Sequence, residues 1–432
     1  MEKVKKVAFH TLGCKVNSYE SEAMLELFKE AGYQEAEFKD ESDVYIINTC
    51  TVTNTGDRKS RQIIRQAIKR NPDAVVCVVG CYAQVSKDEV LAIEGVGVII
   101  GTRYKDRIVD LVNEHLRTGE VVVKIDDVLR LSEFEELEIH NFKNTRAFLK
   151  IQDGCNNFCT YCIIPYSRGK LRSRDRESVL AQAKELVSKG FVEIVLTGIH
   201  TAGYGEDFGD YDFGDLLEEL SGVPGLKRLR ISSIETSQIT DKIVGLISEK
   251  KVIVDHLHVP IQAGSDEILK KMRRKYTLEQ FEERIAALRE RVPNMALSTD
   301  IIVGFPGETD ELFEKTVATL KRINFMQLHV FPYSRRKNTP AANMANQVEE
   351  QVKKRRVSEL VALSKELTAK YARANLDVIQ DVLFESREGD YLVGHSSNYL
   401  KIKVATDAYL IGQIVPVRLV NIEDELIGEI VK

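Results

Sequence analysis

Short apolar runs alternate with helix-like stretches through the first 115 or so residues, and this pattern most constrains the fold. The apolar runs are 7–12, 43–48, 74–79 and 96–100. The stretches with helical character lie near 19–30, 58–70, 86–93 and 104–116. Because buried strands that alternate with helices are typical of parallel sheets, we predict an open parallel α/β sheet for this segment.

Three of the seven cysteines follow predicted strands of this sheet. Cys14, Cys50 and Cys81 each fall in the loop between a strand and the next helix. Ligands bind at the carboxyl edge of open α/β sheets, so we expect these thiols to converge there. A single cysteine in such a place is more often a buried, unreactive side chain, but three equivalent positions favour a shared ligand. Cys77 lies inside an apolar run, and we predict only a core position for it.

Three further cysteines, Cys155, Cys159 and Cys162, occupy one short stretch of the sequence. Thiolates favour zinc, copper(I) or iron–sulfur clusters. A structural zinc site takes four ligands, usually as two separated pairs, and no fourth cysteine or histidine follows at that spacing. A ferredoxin motif continues to a fourth cysteine, whereas Ile163 and Ile164 come next. The run therefore indicates a metal cluster that three thiolates hold and leave one ligand short.

The second segment repeats the strand–helix unit six times. It starts directly before the second cysteine run, after an acidic linker at about 118–145. A capping-box pattern at Thr277 and Gln280 marks the start of one helix. The predicted strands are 146–151, 193–198, 228–233, 256–260, 297–304 and 327–333. Six units fall short of a closed eight-fold barrel, so we predict an open six-strand βα barrel with its site at the carboxyl ends of the strands.

The tail of the chain has a different character. A long helical stretch at about 347–374 leads into it, and short alternating strands follow from 375 to 432. This pattern predicts a small antiparallel β-barrel. The predicted fold class is therefore α/β, with an N-terminal open parallel sheet, a central open six-strand βα barrel and a C-terminal small antiparallel β-barrel.

The composition limits the classes of function that the sequence allows. The chain has 432 residues, 43% hydrophobic and 29% charged, which predicts a globular protein of two to three domains. No stretch approaches the roughly 18 apolar residues of a membrane span, so we expect no membrane partner and a cytoplasmic location. Thiols in that compartment are more often metal ligands than disulfides. With a net charge of -5, any nucleic-acid binding depends on local basic patches.

Together these motifs resemble the radical S-adenosylmethionine (SAM) methylthiotransferases, and the resemblance covers essentially the whole chain. It rests on segments 11–17, 48–52, 80–84 and 155–162. The resemblance implies two 4Fe-4S clusters and SAM as cofactors. It implies an auxiliary cluster on Cys14, Cys50 and Cys81 and a SAM-binding cluster on Cys155, Cys159 and Cys162. It also implies an N-terminal domain at 1–117, a radical SAM core at 141–371 and a TRAM domain at 373–432.

The resemblance also implies a reaction. One SAM methylates sulfur at the auxiliary cluster. Another is cleaved reductively to a 5′-deoxyadenosyl radical, which removes hydrogen from C2 of an adenine that then receives the methylthio group. An aromatic C–H offers no acidity to a side-chain base, so we name no catalytic acid or base. The implied partners are a tRNA substrate, an electron donor of the flavodoxin or ferredoxin type and a sulfur source. The tRNAs used and the oligomeric state stay open.

The sequence motifs also indicate which branch of the family the chain resembles. Segments 13–17 and 51–61 resemble enzymes that act on N6-threonylcarbamoyladenosine beside the tRNA anticodon. The branch acting on isopentenyladenosine more typically has Gly-Cys-Gln-Met-Asn at the first cysteine, and the branch acting on an aspartate of a ribosomal protein has Gly-Cys-Pro-Lys-Asn. Those two branches, and a non-catalytic iron–sulfur RNA-binding protein, are the alternatives.

Residues at strand ends are candidate SAM contacts, where family members contact the cofactor. They are Thr197, Gly198, Ser233, Glu235, Asp300 and Gly304. The glycines allow close backbone approach, and the Glu235 carboxylate suits a ribose hydroxyl or the SAM ammonium. Turn and cap roles explain the same residues equally well. For His256 and His258 we expect packing or hydrogen bonding rather than metal binding.

Two basic stretches and the tail supply candidate RNA contacts. They are Arg58, Lys59, Arg61, Arg273, Arg274, Lys401 and Lys403. Basic side chains in such runs suit phosphates, although charge runs on helices are more often solvated faces. Tyr391 and Tyr399 lie near the tail lysines, and tyrosine rings can stack on bases.

Overall fold

A six-stranded parallel sheet forms the first part of the computed structural model, which describes residues 4–140, 145–422 and 425–431. Strands β1 to β6 are Lys6–Thr11, Gln34–Ala36, Val44–Thr49, Val75–Gly80, Val96–Ile100 and Val122–Lys124. Helices α1 to α5 are Lys15–Glu30, Asn54–Arg70, Cys81–Val85, Lys87–Leu91 and Ile108–Thr118. The spatial order is β2-β1-β3-β4-β5-β6. The predicted domain limits at residues 1, 141 and 432 lie outside the described residues.

The four predicted strands of this sheet are confirmed, and their apolar runs explain why they form. Strands β3, β4 and β5 are buried along their whole length, and each sheet face packs against its own cluster of apolar side chains. Cys77 is fully buried in one of these clusters, as predicted. Helix α2 begins where Thr53 accepts a 3.1 Å hydrogen bond from the backbone N–H of Gly56.

The segment predicted as a linker contributes more structure than expected. Strand β6 pairs in parallel with β5 and extends the first sheet. Beyond it, Leu137 and Ile139 are buried against Tyr19 and Ala23 of α1. The Tyr19 hydroxyl donates a 2.5 Å hydrogen bond to the carbonyl of Leu137. A three-residue edge strand and single apolar anchors carry too little periodicity to be recognised in the sequence.

Six parallel strands form the central part, and they correspond to the six strands that the sequence predicts. Strands β7 to β14 are Ala147–Lys150, Gln152–Asp153, Arg172–Ser173, Glu193–Thr197, Arg228–Ile231, His256–His258, Ala296–Val303 and Gln327–Pro332. They build two three-stranded sheets, β7-β10-β11 and β12-β13-β14, and a parallel bridge joins Leu229 to Ile253 between them. Strands β8 and β9 form a separate antiparallel pair.

Helices cover the outside of these strands. Helices α6 to α12 are Ile164–Arg168, Arg176–Ser188, Phe213–Ser221, Asp241–Glu249, Asp266–Lys271, Leu278–Arg291 and Asp310–Ile323. The capping box predicted for α11 is present, with reciprocal hydrogen bonds between Thr277 and Gln280. Within the described ranges, no helix is both long enough and apolar enough to cross a membrane.

The two faces of the central strands differ in chemistry. Leu229 and Ile231 of β11 belong to the large apolar core that the helices cover. Arg228 and Arg230 alternate with them and therefore point to the opposite side. The same alternation places Glu193 of β10 on that side. The inner face of the strands is thus charged and suits a polar ligand.

The tail forms a closed five-stranded barrel after helix α13, Glu350–Ala374. Strands β15 to β19 are Ile379–Glu388, Tyr391–Ser396, Lys401–Ala405, Ile414–Asn421 and Ile427–Ile430. All pairs are antiparallel except β17 with β19, and β19 was not predicted. Arg228 donates to the carbonyl of His395 at 3.0 Å and Arg230 to that of Ser397 at 3.1 Å. These bonds join the tail barrel to β11.

Candidate cluster sites and active site

The three N-terminal cysteines lie at the carboxyl edge of one sheet. Cys14 precedes α1, Cys50 follows β3 and Cys81 opens α3 after β4. Strands β1, β3 and β4 are neighbours, so the loops that follow them are neighbours too. A Cβ atom placed on Gly13 would lie 3.3 Å from the sulfur of Cys50. The structure therefore brings these three predicted residues together.

Burial favours the protonated form of the Cys14 and Cys50 thiols in the absence of a metal. It raises the pKa of Cys14, and it raises the pKa of Cys50 to about 11, with Cys81 and Cys14 adding to the effect. A thiol must lose its proton to bind metal, and a nearby cation supplies the compensating charge. Across the described residues, no three His, Cys, Asp or Glu side chains converge as closely as a single metal ion requires. Three soft sulfur donors around a wider space fit an iron–sulfur cluster.

The second cysteine group lies in the loop after β8. Cys162 donates its backbone N–H to the carbonyl of Cys159 at 2.9 Å, and Phe158 adopts a left-handed φ of 46°. These features give the loop a tight turn between Cys159 and Cys162. Burial raises the pKa of Cys155 to about 11 and that of Cys162 to about 12, and in both cases the other cysteines contribute. This set of donors also fits an iron–sulfur cluster.

Arg274 contacts the second cysteine group from inside the protein. Its guanidinium donates a 3.4 Å hydrogen bond to the sulfur of Cys159 and a second bond to the carboxylate of Glu235. Only 4% of its side chain is exposed. The prediction that Arg274 faces RNA is therefore corrected, because its charge is used by buried partners. Its neighbour Arg273 is exposed, as the prediction for that residue requires.

A second buried arginine contacts the first cysteine group. Arg168 of α6 donates to the sulfur of Cys81 at 3.4 Å and to the side-chain oxygen of Asn17 at 2.7 Å. It also binds Glu20 of α1 at 2.6 Å and Asp153 of β8 at 3.1 Å. Arg168 follows the second cysteine run in sequence, yet it contacts the loops of the first. Sequence reasoning missed it because nothing in its local context distinguishes it from a surface arginine.

Two lysines complete the buried ion network around Glu20. Lys150 lies 2.9 Å from Glu20 and 2.7 Å from Asp153, and Lys105 lies 3.5 Å from Glu20. Burial alone would raise the pKa of Glu20, but Arg168 and the two lysines outweigh it and hold that pKa well below its ordinary value. The carboxylate is thus stable as an anion at the contact between the first sheet and the central strands.

Arg336 makes an equivalent contact with the loop of Cys50. This arginine follows β14, and its guanidinium binds Thr51 at 2.7 Å, Asn54 at 2.6 Å and Asp57 at 2.7 Å. Burial raises the pKa of Asp57, and Arg336 counteracts that rise. The central part of the chain therefore holds the loops that carry the N-terminal cysteines with two separate arginines.

The candidate SAM contacts lie at the carboxyl ends of the central strands, and their hydrogen-bonding surroundings differ. Thr197 ends β10 with a buried hydroxyl that has no hydrogen-bond partner among the described residues, and Gly198 follows it. Ser233 and Glu235 follow β11, and Asp300 in β13 lies 3.3 Å from the Nε2 of His258.

The structure also describes the surroundings of Gly304 and of the two histidines. A Cβ atom on Gly304 would lie 2.1 Å from Cγ of Lys353, so the stem of Lys353 accounts for the need for glycine at this position. His256 and His258 both hydrogen-bond the hydroxyl of Ser298, at 3.1 and 3.0 Å. Each of the two histidines thus has one ring nitrogen hydrogen-bonded to Ser298.

Some of the candidate RNA contacts are exposed, whereas others are paired with acidic side chains. Arg58 and Lys59 are exposed on α2, while Arg61 binds the hydroxyl of Tyr82 and the carboxylate of Glu89. A shallow basic surface on α2 is lined by Arg58, Arg61, Gln62, Arg65, Gln66 and Lys69. In the tail, Lys401 lies 3.3 Å from Glu388, and Lys403 lies within 2.8 Å of both Glu388 and Glu425. The α2 surface is therefore better suited to phosphates than the tail lysines.

Comparisons with known proteins agree with this architecture. The radical SAM superfamily profile matches residues 149–320, and that of the uncharacterized protein family UPF0004 matches residues 6–101. A solved structure, the radical SAM methyltransferase TsrM from Kitasatospora setae with cobalamin and a 4Fe-4S cluster bound, superposes with a TM-score of 0.56 at 16% identity. The match covers 78% of this chain and 77% of that one. The fold and the three-cysteine loop thus define a radical SAM enzyme.

Two curated relatives narrow the family. The threonylcarbamoyladenosine tRNA methylthiotransferase MtaB of Bacillus subtilis is 51% identical over 96% of this chain and 94% of its own length. The tRNA-2-methylthio-N(6)-dimethylallyladenosine synthase of Clostridium botulinum is 35% identical over 95% of this chain and 93% of its own. The chain belongs to the radical SAM tRNA methylthiotransferase family. Its cofactors are SAM and 4Fe-4S clusters, as the sequence predicts.

Proposed function

We propose that this enzyme adds a methylthio group to C2 of N6-threonylcarbamoyladenosine next to the anticodon of tRNA. The higher identity to the threonylcarbamoyladenosine relative than to the dimethylallyladenosine relative supports this branch, and so do the motifs at 13–17 and 51–61. A tRNA substrate follows from the family. An electron donor of the flavodoxin or ferredoxin type and a sulfur source complete the proposed partners.

The observation that carries the proposal is the set of contacts made by Arg168. Arg168 follows the second cysteine run in sequence, and it binds both Cys81 of the first group and Asp153, which lies two residues before Cys155. A reaction that needs a radical source and a sulfur source in one active site needs two cluster sites held in fixed relation. The Arg168 and Arg336 contacts supply that relation from two sides.

The cysteine ligands follow from this arrangement. Cys14, Cys50 and Cys81 would hold an auxiliary 4Fe-4S cluster, and Cys155, Cys159 and Cys162 would hold the SAM-binding one. When bound, these clusters and SAM supply the sulfur transfer and the radical C–H cleavage. An adenine C2–H has no acidity for a base to use, so the side chains bind, orient and exclude water.

The carboxyl ends of the central strands would hold SAM. The unpartnered hydroxyl of Thr197 is a buried group that needs a hydrogen-bonding ligand. The Glu235 carboxylate, fixed by Arg274 beside Cys159, would accept from the SAM ammonium or a ribose hydroxyl. Gly198, Ser233, Asp300 and Gly304 lie at the same edge and complete the proposed contacts.

The remaining parts of the chain would bind the tRNA and position it. We assign residues 1–117 to the auxiliary-cluster domain, 141–371 to the radical SAM core and 373–432 to a TRAM domain. The exposed Arg58 and Lys59 of α2, with Arg273, are the proposed phosphate contacts. Arg61, Lys401 and Lys403 are partly neutralised by their acidic partners and would contribute less.

The test is nucleoside mass spectrometry of tRNA from cells that lack methylthio modifications. The tRNA is incubated anaerobically with reconstituted enzyme, SAM and a reductant. A 2-methylthio group on threonylcarbamoyladenosine alone supports the proposal. The group on isopentenyladenosine would overturn the branch, and no product from protein with both clusters intact would overturn the reaction.

Iron content tests the cluster assignment separately. The intact enzyme should bind about eight irons per chain, and a variant with Cys14, Cys50 and Cys81 replaced by alanine should bind about four. A Cys77→Ala variant is the matched control, because Cys77 lies in the core and should leave the iron content unchanged. Equal iron in the intact and triple-variant proteins would refute the auxiliary site.

A further inference from the structure

A polar pocket, which we call the interface pocket, lies where the first sheet meets the central part of the chain. It is lined by residues of α2, of the segment 84–89 and of the loop 336–338, and by Ile163. Its volume of about 480 Å³ lies within the range of about 300–1,000 Å³ that is usual for ligand pockets. Apart from Val85 and Ile163, the side chains of this lining are polar or charged, so the pocket suits a polar ligand.

The walls of the interface pocket continue from one cysteine loop of each group. Asn54 lies four residues after Cys50, and Ile163 directly follows Cys162. The two sides of the interface are joined at this place, because the backbone N–H of Asn54 donates a 3.1 Å hydrogen bond to the hydroxyl of Ser334. A ligand in the pocket would therefore lie beside loops that carry ligands of both proposed clusters.

Two of the three acidic side chains that line the interface pocket already have basic partners. Asp57 lies 2.7 Å from the guanidinium of Arg336, and Glu89 lies 3.1 Å from that of Arg61. The third acid, Asp88, is exposed, and its side chain makes no ion pair or hydrogen bond within the described ranges. The pocket thus presents a single unpaired carboxylate.

Lys87 and Lys337 bring unpaired positive charges to the pocket from the two sides of the interface. Both lysines are exposed, and neither forms an ion pair or a side-chain hydrogen bond with another residue that the structure describes. The neighbour of Lys337 is the anchored Arg336, of which only 5% is exposed, so the backbone that carries Lys337 is fixed. Two available ammonium groups against one available acid favour an anionic ligand.

The interface pocket is continuous with the basic surface on α2. Arg61 lines both of them, and Arg58 and Arg65 are exposed further along the helix surface. A row of positive side chains that leads into a basic pocket suits a chain of phosphates better than a single small anion. Val85 and Ile163 would supply apolar contacts to a sugar or a base at the same place.

We propose that the interface pocket binds a nucleotide beside the modified adenosine of the tRNA, with Lys87 and Lys337 on its phosphate. The proposal rests on the proposed function and adds a site for a second nucleotide. The reacting adenine lies between the two cluster sites in that function, so its neighbours along the RNA chain pass close to the cysteine loops. The interface pocket adjoins one loop of each group and carries the available positive charge.

The test uses anticodon stem-loop RNAs in which one phosphate at a time is replaced by an uncharged methylphosphonate. The RNAs carry N6-threonylcarbamoyladenosine, and anaerobic equilibrium binding measures their affinities for the reconstituted enzyme. For the wild type, replacement at one linkage within two nucleotides of the modified adenosine should weaken binding about tenfold, the size expected of a lost charged hydrogen bond. The double variant K87Q/K337Q should bind the unaltered RNA more weakly and lose nothing further at that linkage.

Two further variants sharpen the comparison. D88N should bind the unaltered RNA more tightly than the wild type, because Asp88 is the unpaired acid of the pocket and repels a phosphate. K251Q is the matched control, since Lys251 is an exposed lysine that precedes β12, at the amino ends of the central strands. It should keep both the affinity and the effect of the single linkage. Iron content is measured for each variant, so that a lost cluster is recognised.

Two results would overturn the proposal. One is a wild type for which no linkage within two nucleotides of the modified adenosine matters. The other is a K87Q/K337Q variant with both clusters that still loses about tenfold at the sensitive linkage. Failure of the proposed function would appear separately in nucleoside mass spectrometry, because it changes which base is modified and not the linkage at which charge matters.

Discussion

The Nε of Arg168 donates a 3.4 Å hydrogen bond to the sulfur of Cys81. The same relation recurs in the second cysteine group, where Arg274 donates to Cys159 at 3.4 Å. Hydrogen bonds and positive charge at a ligating sulfur stabilise the reduced state of an iron–sulfur cluster and raise its potential. Each proposed cluster therefore has one buried arginine that tunes it, and Arg168 also ties the auxiliary site to the central strands.

Replacing Arg168 with glutamine should make the potential of the auxiliary cluster more negative. The substitution removes both the donor to Cys81 and its positive charge. Potentiometric electron paramagnetic resonance would measure the shift in a background where Cys155, Cys159 and Cys162 are alanine, so that only the auxiliary cluster is observed. Lys150→Met is the matched control, because Lys150 belongs to the same ion network without contacting a sulfur. A larger shift in Lys150→Met than in Arg168→Gln would contradict the role of the hydrogen bond.

Replacing Glu20 with glutamine should destabilise the contact between the first sheet and the central strands. The change leaves Arg168, Lys105 and Lys150 buried with one anionic partner fewer. Removing one partner of a buried ion pair lowers the unfolding free energy by about 3–5 kcal/mol, and we expect a loss of that size here. Chemical unfolding of the cluster-free proteins would measure the difference. Exposed Glu94→Gln is a suitable control and should change the unfolding free energy by less than about 0.5 kcal/mol.

The same carboxylate predicts the sign of an acid effect. The folded pKa of Glu20 lies below its ordinary value of 4.5, so its stabilisation is complete above pH 4.5 and is lost as the pH falls below that value. The stability difference between wild type and Glu20→Gln should therefore be constant near neutral pH and shrink below pH 4.5. A difference that grows on acidification would contradict this assignment.

The neighbours Arg273 and Arg274 should give opposite phenotypes. Arg274→Gln removes the buried contacts with Cys159 and Glu235, and we expect at least a tenfold slower formation of 5′-deoxyadenosine. Arg273→Gln changes an exposed side chain and should leave that rate unchanged while weakening tRNA binding. SAM-cleavage assays and tRNA titrations on both variants would measure these two effects. The reverse pattern would indicate that Arg274, and not Arg273, contacts the tRNA.

The α2 surface should contribute more to tRNA affinity than the tail lysines. Arg58→Ala removes an exposed charge, and the slope of log affinity against log salt should fall by about one. Lys403→Ala should leave the slope nearly unchanged, because Glu388 and Glu425 already neutralise that ammonium. Filter binding of tRNA over a range of salt concentrations would measure both slopes. A larger change for Lys403→Ala would place the tRNA on the tail instead.

Local patterns were sufficient for most of the fold. Buried runs such as 44–49 and 75–80 are long and apolar enough to indicate strands, and the Thr277 capping box marked a helix start. Strands β6 and β19 were missed because segments of three or four residues carry too little periodicity and depend on their pairing partners in the sheet. The six cysteines stood out in the sequence because their positions after strands and their spacing are local properties.

Side-chain partners, in contrast, were decided by tertiary structure. Arg274 lies beside an exposed arginine in a basic run, and only the packed loop of Cys159 turns it inward. The stem of Lys353, from a distant helix, lies against Gly304, and the sequence around that glycine does not show this contact.

The sequence by itself determined the α/β class, the two cysteine groups and the family, because strand periodicity and ligand spacing can be recognised within short segments. Only the tertiary structure decided that Arg168 contacts Cys81, that Arg336 holds the loop of Cys50, and that Arg274 contacts Cys159. These pairs are far apart in the chain, and their contacts exist only after burial has brought separate sheets together. Burial also gives them their effect, because charges and hydrogen bonds act most strongly where water is excluded.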